Sequence, residues 1–180
     1  MATKKGMIVI DPTRCLACRS CELACAVAHS RAKNLLGAIR ESPAPESRVS
    51  LEMAEDITLP LQCRHCEEAP CVAVCPTKAL SKSEAEGPVL LNQELCIGCK
   101  SCVLVCPFGV IHLSRDGKAM IKCDLCVERL EAGQEPACVA SCPTGAMRFE
   151  STSEAARATR KRAAREFLVT FRASREPESE

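Results

Sequence analysis

The chain has 180 residues, a formal charge of +1, 26% charged side chains and 16 cysteines. That length permits one or two domains and that charge content excludes a disordered chain, while 2% aromatics without Trp or Tyr leave no basic surface with stacking rings for nucleic acid. Setting the cysteines aside, the hydrophobic share falls from 47% to about 38%, below the globular norm, so something besides side chains is expected to fill the interior.

The first residues, MATKKGMIVIDPTRC, carry an apolar run too short for a secretory h-region and no twin arginine. No stretch approaches the roughly 18 apolar residues of a membrane span. A cytoplasmic, reducing setting is therefore expected. MIVID reads as a first strand, followed by the first cysteine group, CLACRSCELAC, with Cys15, Cys18, Cys21 and Cys25. Residues 26–54 include the polar, proline-containing ESPAPES and read as a connector between halves. RVSLEM and ITLPL are brief strands ahead of the second group, CRHCEEAPCVAVCP, with Cys63, Cys66, Cys71 and Cys75. PVLLN precedes the third group, CIGCKSCVLVCPFG, with Cys96, Cys99, Cys102 and Cys106. GVIHL and AMIK lead to the fourth, CDLCVERLEAGQEPACVASCP, with Cys123, Cys126, Cys138 and Cys142, and AMRFE is a last strand. Between the third and fourth cysteine of each group, ELA, VAV, VLV and VAS suit one or two helical turns, and in three groups a following proline ends the helix. From Ser151 the chain is free of cysteine. Thr152 or Ser153 can cap a helix whose apolar face holds Ala163, Ala164, Phe167, Leu168 and Phe171. This face is expected to pack on the protein's own core, ahead of docking on a partner, and the terminal REPESE reads as a loose tail.

The first and third groups align without a gap, and PCVAVCPTKAL matches ACVASCPTGAM, so the order of units is A, B, A, B. A zinc site takes two Cys-x-x-Cys knuckles around one ion, whereas C-x2-C-x2-C-x3-C-P wraps three thiols around one face of an iron–sulfur cubane and sends the fourth to a second cluster. Four residues of helix rise about 6 Å, which with side-chain reach at both ends puts two such clusters on the order of 10–12 Å apart. Iron–sulfur ligation is the expectation, with a zinc-stabilised interaction module as the alternative from another class. Gly98 is expected at positive φ, aiming N–H groups at sulfur. His29, His65 and His112 are expected to make surface or hydrogen-bonding contacts, since each cysteine set is complete without them. Asp124 and Glu128 read as solvated helix charges. The sequence holds no Ser/His/Asp set, P-loop or dinucleotide fingerprint, so no catalytic site is expected.

Over about residues 6–150 the chain resembles the four-cluster, ferredoxin-like electron-transfer subunits of anaerobic oxidoreductases, on the strength of CRHCEEAPC, CIGCKSCVLVCPFG and the long gap in the fourth group. These include the iron–sulfur subunits of the DMSO reductase and formate dehydrogenase type. The short length and CELACAVAHS look most like the small partners of carbon monoxide dehydrogenase, hydrogenase or tungsten aldehyde oxidoreductase. The resemblance implies four 4Fe-4S clusters, held by Cys15, Cys18, Cys21 and Cys142; by Cys123, Cys126, Cys138 and Cys25; by Cys96, Cys99, Cys102 and Cys75; and by Cys63, Cys66, Cys71 and Cys106. It also implies a wire in that order, a catalytic oxidoreductase subunit at one end and a second redox protein at the other. The expected fold is α+β, with two ferredoxin-like modules, one split over residues 1–55 and 116–150 and one continuous over 56–115, followed by a helix and acidic tail over 151–180. A freely diffusing polyferredoxin is the alternative within the same chemistry. Cys25 departs from the ferredoxin pattern, being followed by Ala26 where the other groups have proline.

Overall fold

A computed structural model describes residues 5–82, 84 and 87–173. The terminal REPESE lies outside them. The described chain is α+β, built from short strands and short helices. Eight strands pair as four separate antiparallel ladders.

β1 (Met7–Ile10) pairs with β8 (Met147–Glu150), so the start of the chain is tied to the segment after the fourth cysteine group. Alternation places Ile8, Met147 and Phe149 on the buried side of this ladder. β2 (Val49–Ala54) and β3 (Ile57–Gln62) form a hairpin that crosses the expected 55/56 boundary. Both strands pack toward the split half, β2 on α1 (Ser20–Ala28) and β3 on the 3₁₀ turn Pro12–Arg14. β4 (Leu80–Lys82), which the sequence pattern does not announce, pairs with β5 (Val89–Leu91). β6 (His112–Leu113) and β7 (Met120–Ile121) form a small hairpin across the second expected boundary.

The helices expected between the third and fourth cysteines are α1, α3 (Pro70–Ala73), α4 (Ser101–Val105) and α6 (Ala137–Ala140). Two more occur: α2 (Leu35–Ile39), capped by the Asn34 side chain inside the expected connector, and α5 (Val127–Glu131) inside the long gap of the fourth group. α1 packs on α6, and α3 packs on α4. Each pair centres its own small core. Ile8, Val49, Leu125, Leu130, Val139, Met147 and Phe149 surround Cys21, Cys25 and Cys138, while Leu80, Val89, Ile111 and Met120 surround Cys71 and Cys102. The interior is thus shared between few apolar side chains and many sulfurs.

The last helix, α7 (Thr152–Ala173), corrects the expected packing. Its start is fixed by a capping box in which Ser151, one residue before the expected caps, accepts from Glu154 N at 3.3 Å, and the Glu154 carboxylate accepts from Ser151 N at 2.8 Å. Phe167 (69% exposed), Leu168, Val169 and Phe171 are then left in solvent instead of covering the protein's own core. Phe167 and Phe171 stack on each other at 6.2 Å. The helix leaves the body beside β8 and extends away from both cores.

Candidate metal centre

Every group opens with a Cys-x-x-Cys turn, and in all four the residue before the second cysteine is left-handed: Ala17 at φ +54°, His65 at +50°, Gly98 at +65° and Leu125 at +61°. Such a backbone costs a non-glycine residue about 1–2 kcal/mol, so the bend is imposed by what it achieves. It turns amides onto sulfur. His65 N donates to Cys63 Sγ at 3.4 Å, and Leu125 N donates to Cys123 Sγ at 3.3 Å. Arg48 N donates to Cys25 Sγ at 3.2 Å. Gly98→Ala would place a Cβ 3.4 Å from Lys118 O. Because Ala17 occupies the equivalent position in the first group, the variant is expected to keep its metal and lose about 1 kcal/mol in chemical denaturation.

The groups also end alike, with one exception. After Cys75, Cys106 and Cys142 the proline stops the helix, and a left-handed Lys78, Gly109 or Gly145 closes the turn by donating to the cysteine carbonyl at 3.2, 3.3 and 3.3 Å. Ala26 keeps its N–H, so α1 runs through Cys25 to Ala28 and His29 N reaches Cys25 O at 3.1 Å. This extra turn seats the His29 ring against the group. Nδ1 lies 2.7 Å from Cys25 O and 3.6 Å from Cys25 Sγ, and Nε2 lies 3.1 Å from Asp124 Oδ1. A carbonyl and a carboxylate can only accept, so both ring nitrogens donate and the ring is an imidazolium. Burial opposes that charge, but Asp124, with Cys126 and Cys25, raises His29 to about 11. Arg48 Nη1 donates to the other Asp124 oxygen at 2.5 Å. Burial works against the Asp124 charge too, but His29 and Arg48 hold its carboxyl well below the usual range. The solvated reading of Asp124 is therefore corrected, whereas Glu128 is exposed as expected. His29, Asp124 and Cys126 place one donor atom each within 4.8 Å of one another, but the first two are already committed to this ion pair.

Electrostatic neighbours show which sulfurs converge. Burial raises Cys138, and Cys123, Cys25 and Cys126 push it further, followed by Cys21. Burial raises Cys21 to about 11, with Cys15 adding to it. Cys18 adjoins Cys142, and a single recess is lined by Cys15, Cys18, Cys21 and Cys142. In the other half, burial raises Cys71, with Cys63 and Cys106 beside it. Burial likewise raises Cys102, whose neighbours are Cys71, Cys96 and Cys99, and Cys99 adjoins Cys75. Neighbours from other groups thus recur for every last cysteine: Cys142 shares the recess with Cys15, Cys18 and Cys21, Cys25 adjoins Cys123 and Cys138, Cys106 adjoins Cys71 and Cys75 adjoins Cys99, while Cys21 adjoins Cys138 and Cys71 adjoins Cys102.

One link between the two halves is a chain of hydrogen bonds. Val89 N donates to His65 Nδ1 at 3.1 Å, and Lys122 Nζ donates to Val89 O and to Cys123 O at 2.5 and 2.6 Å. The Cys63 turn therefore adjoins Cys123.

Two features escaped the sequence reading although their signals repeat there. Cys18 and Cys99 each lie beside the serine two residues on, at 3.4 and 3.6 Å, and that hydroxyl lowers the Cys18 thiol. Cys75 and Cys142 each lie beside a threonine two residues on, at 3.8 and 3.7 Å. The repeated CRS/CKS and CPT/CPT spellings carry both. The histidines make the hydrogen-bonding and surface contacts expected: His112 Nε2 is 4.0 Å from Glu46, and His65 accepts from Val89.

The donor chemistry fits clusters of iron and sulfide. All 16 cysteines are free thiols. His65 adds an independent sign: its Nδ1 accepts, burial pushes the ring down to about 3 and so keeps it neutral, and the proton must sit on Nε2, which is buried without a partner. An N–H stranded on the turn between Cys63 and Cys66 suits a sulfur-rich occupant. The profile of the 4Fe-4S dicluster domain matches residues 54–152. An iron–sulfur protein from Rhodospirillum rubrum is 41% identical over 179 residues, covering 92% of this chain and 93% of its own. The thiosulfate reductase electron transfer subunit PhsB of Salmonella typhi is 38% identical, covering 84% of this chain and 79% of its own. The electron transport protein HydN of Escherichia coli (strain K12) is 36% identical, covering 78% and 85%. With cysteine sets that suit several 4Fe-4S clusters, the chain belongs to the 4Fe-4S dicluster domain family of iron–sulfur electron-transfer proteins.

Proposed function

We propose that the chain is a non-catalytic subunit that carries single electrons between a catalytic oxidoreductase subunit and a second redox protein, using four 4Fe-4S clusters. The sites are assigned to Cys15, Cys18, Cys21 and Cys142; to Cys25, Cys123, Cys126 and Cys138; to Cys63, Cys66, Cys71 and Cys106; and to Cys75, Cys96, Cys99 and Cys102. The observation that carries this reading is the recess in which Cys142 of the fourth group meets Cys15, Cys18 and Cys21 of the first, and it supports an exchange of last cysteines in which each short helix brackets two sites, as with Cys21 and Cys25 one turn apart on α1. The clusters, when bound, supply one-electron redox chemistry. The chain's own residues do the rest. Amides of Leu125, His65 and Arg48 donate to the sulfurs of Cys123, Cys63 and Cys25, and the two small cores bury Cys21, Cys25 and Cys138 on one side and Cys71 and Cys102 on the other. Two modules divide the four sites, and the hairpin packing supports drawing their limits after β3 and after β7. The reducing cytoplasm suits so many unpaired thiols, and no helix among the described residues is long and apolar enough to cross a membrane. Iron and acid-labile sulfide of about sixteen each per anaerobically purified chain are expected, and fewer than about twelve would count against four cubanes.

The exposed Phe167, Leu168 and Val169 of α7 favour a fixed partner over free diffusion. Relatives that serve as electron transfer subunits of reductases support a catalytic partner of that kind. Phe167→Glu with Phe171→Glu is expected to weaken copurification with the partner by at least about tenfold while leaving iron content unchanged. Partner retention at the normal level would move the contact elsewhere.

A further inference from the structure

Lys122 is the one lysine among the described residues that is buried, at 3% exposure. No carboxylate pairs with it among these residues. Its ammonium is held by two backbone carbonyls, Val89 O from one half and Cys123 O from the other. A buried cation without a counter-ion is costly to place and needs a reason. The cysteines on its two sides provide one. Lys122 Nζ is bonded to the carbonyl of Cys123 on one side, and on the other to Val89, whose N–H donates to His65 between Cys63 and Cys66, so the ammonium lies between the Cys123 and Cys63 sites. The charged groups around it are few: His65, kept neutral by burial and reached through Val89; Lys82, whose Nζ is tied to the Cys66 and Glu67 carbonyls; and Asp124, whose charge is matched by His29 and Arg48. The negative charge missing from its surroundings is that of metal-bound thiolates.

We propose that Lys122 is the shared cation of the Cys123 and Cys63 sites and favours electron uptake at both. This rests on the four-cluster reading. Taking up one electron from the redox partner forms and breaks no bond and adds one negative charge to a thiolate cage. A cation at the boundary of two cages stabilises that added charge on either side, and the stabilisation is lost when the cation is removed.

The test is a potentiometric titration of the full, iron-loaded chain, followed by electron paramagnetic resonance, for Lys122→Met, Lys122→Gln and Lys122→Arg. With either neutral residue, two of the four signals should become about tenfold harder to reduce, a fall of about 59 mV for a one-electron couple, with the other two moving less than half as far. Arginine should restore both. Four unmoved potentials, a uniform fall of all four, or no rescue by arginine would overturn the proposal. So would neutral variants that hold no iron while the arginine variant does, because Lys122 would then serve folding. Iron near sixteen per unaltered chain tests the four-cluster reading separately, so unmoved potentials in loaded protein would sink the role of Lys122 alone.

Discussion

Cys106→Ala is expected to strip or shrink the site built from Cys63, Cys66 and Cys71 while sparing the one built from its own sequence neighbours Cys96, Cys99 and Cys102. The reason lies in the ends of the short helices. α4 presents Cys102 to one side, and the chain leaves it at Cys106, which adjoins Cys71. The mirror case is Cys75, which follows α3 and adjoins Cys99. A site reduced to three thiolates holds three irons or none, so iron should fall by about one to four per chain. The decisive readout is identity. Cys106→Ala and Cys63→Ala should disturb the same one of four redox signals, and Cys96→Ala and Cys75→Ala should disturb a different one. Because metal binding contributes folding energy directly, losing a site should also cost more stability than any surface substitution. If Cys106→Ala instead disturbed the signal that Cys96→Ala disturbs, each group would serve itself and the exchange would be wrong.

The groups and their helices were legible because they are local: a repeated spacing, a closing proline at Pro76, Pro107 and Pro143, and glycine or its substitutes at the bends. The strands were legible as short apolar runs, except β4, where Leu80-Ser81-Lys82 is too brief and too polar to register. What the pattern could not carry was choice of partner. Both hairpins bridge the expected module limits because Val49 and Met120 bury against cores assembled from distant segments. α7 has an amphipathic stripe, and periodicity says nothing about which surface covers it. Lys122 ends an ordinary strand spelling, AMIK, and only its burial marks it out. The missing proline after Cys25 was visible, but its consequence, a ninth residue of helix bringing His29 beside the sulfur, needed the fold.

Asp124→Asn is expected to destabilise the iron-loaded protein by about 3 kcal/mol, the low end for breaking a buried ion pair because all three partners keep some exposure. Asp124 sits between two cations, His29 with a side chain 11% exposed and Arg48 at 22%. Its partners lie 95 and 76 residues away, so the carboxylate closes the long loop between the first group and the fourth as well as balancing charge. The asparagine retains an oxygen for His29 but brings no charge, and Arg48 then faces His29 with no negative charge between them. The cations also flank Cys25 through the His29 ring and the Arg48 amide, so loosening them exposes that sulfur to water. The expected result is faster bleaching of the cluster colour in guanidinium and a lower midpoint, with the Asp124→Asn, Arg48→Met double variant costing less than the sum of the two single ones. A cost below about 1 kcal/mol, the range of exposed pairs, would mean that water already screens this triad and that the clusters alone hold the first and fourth groups together.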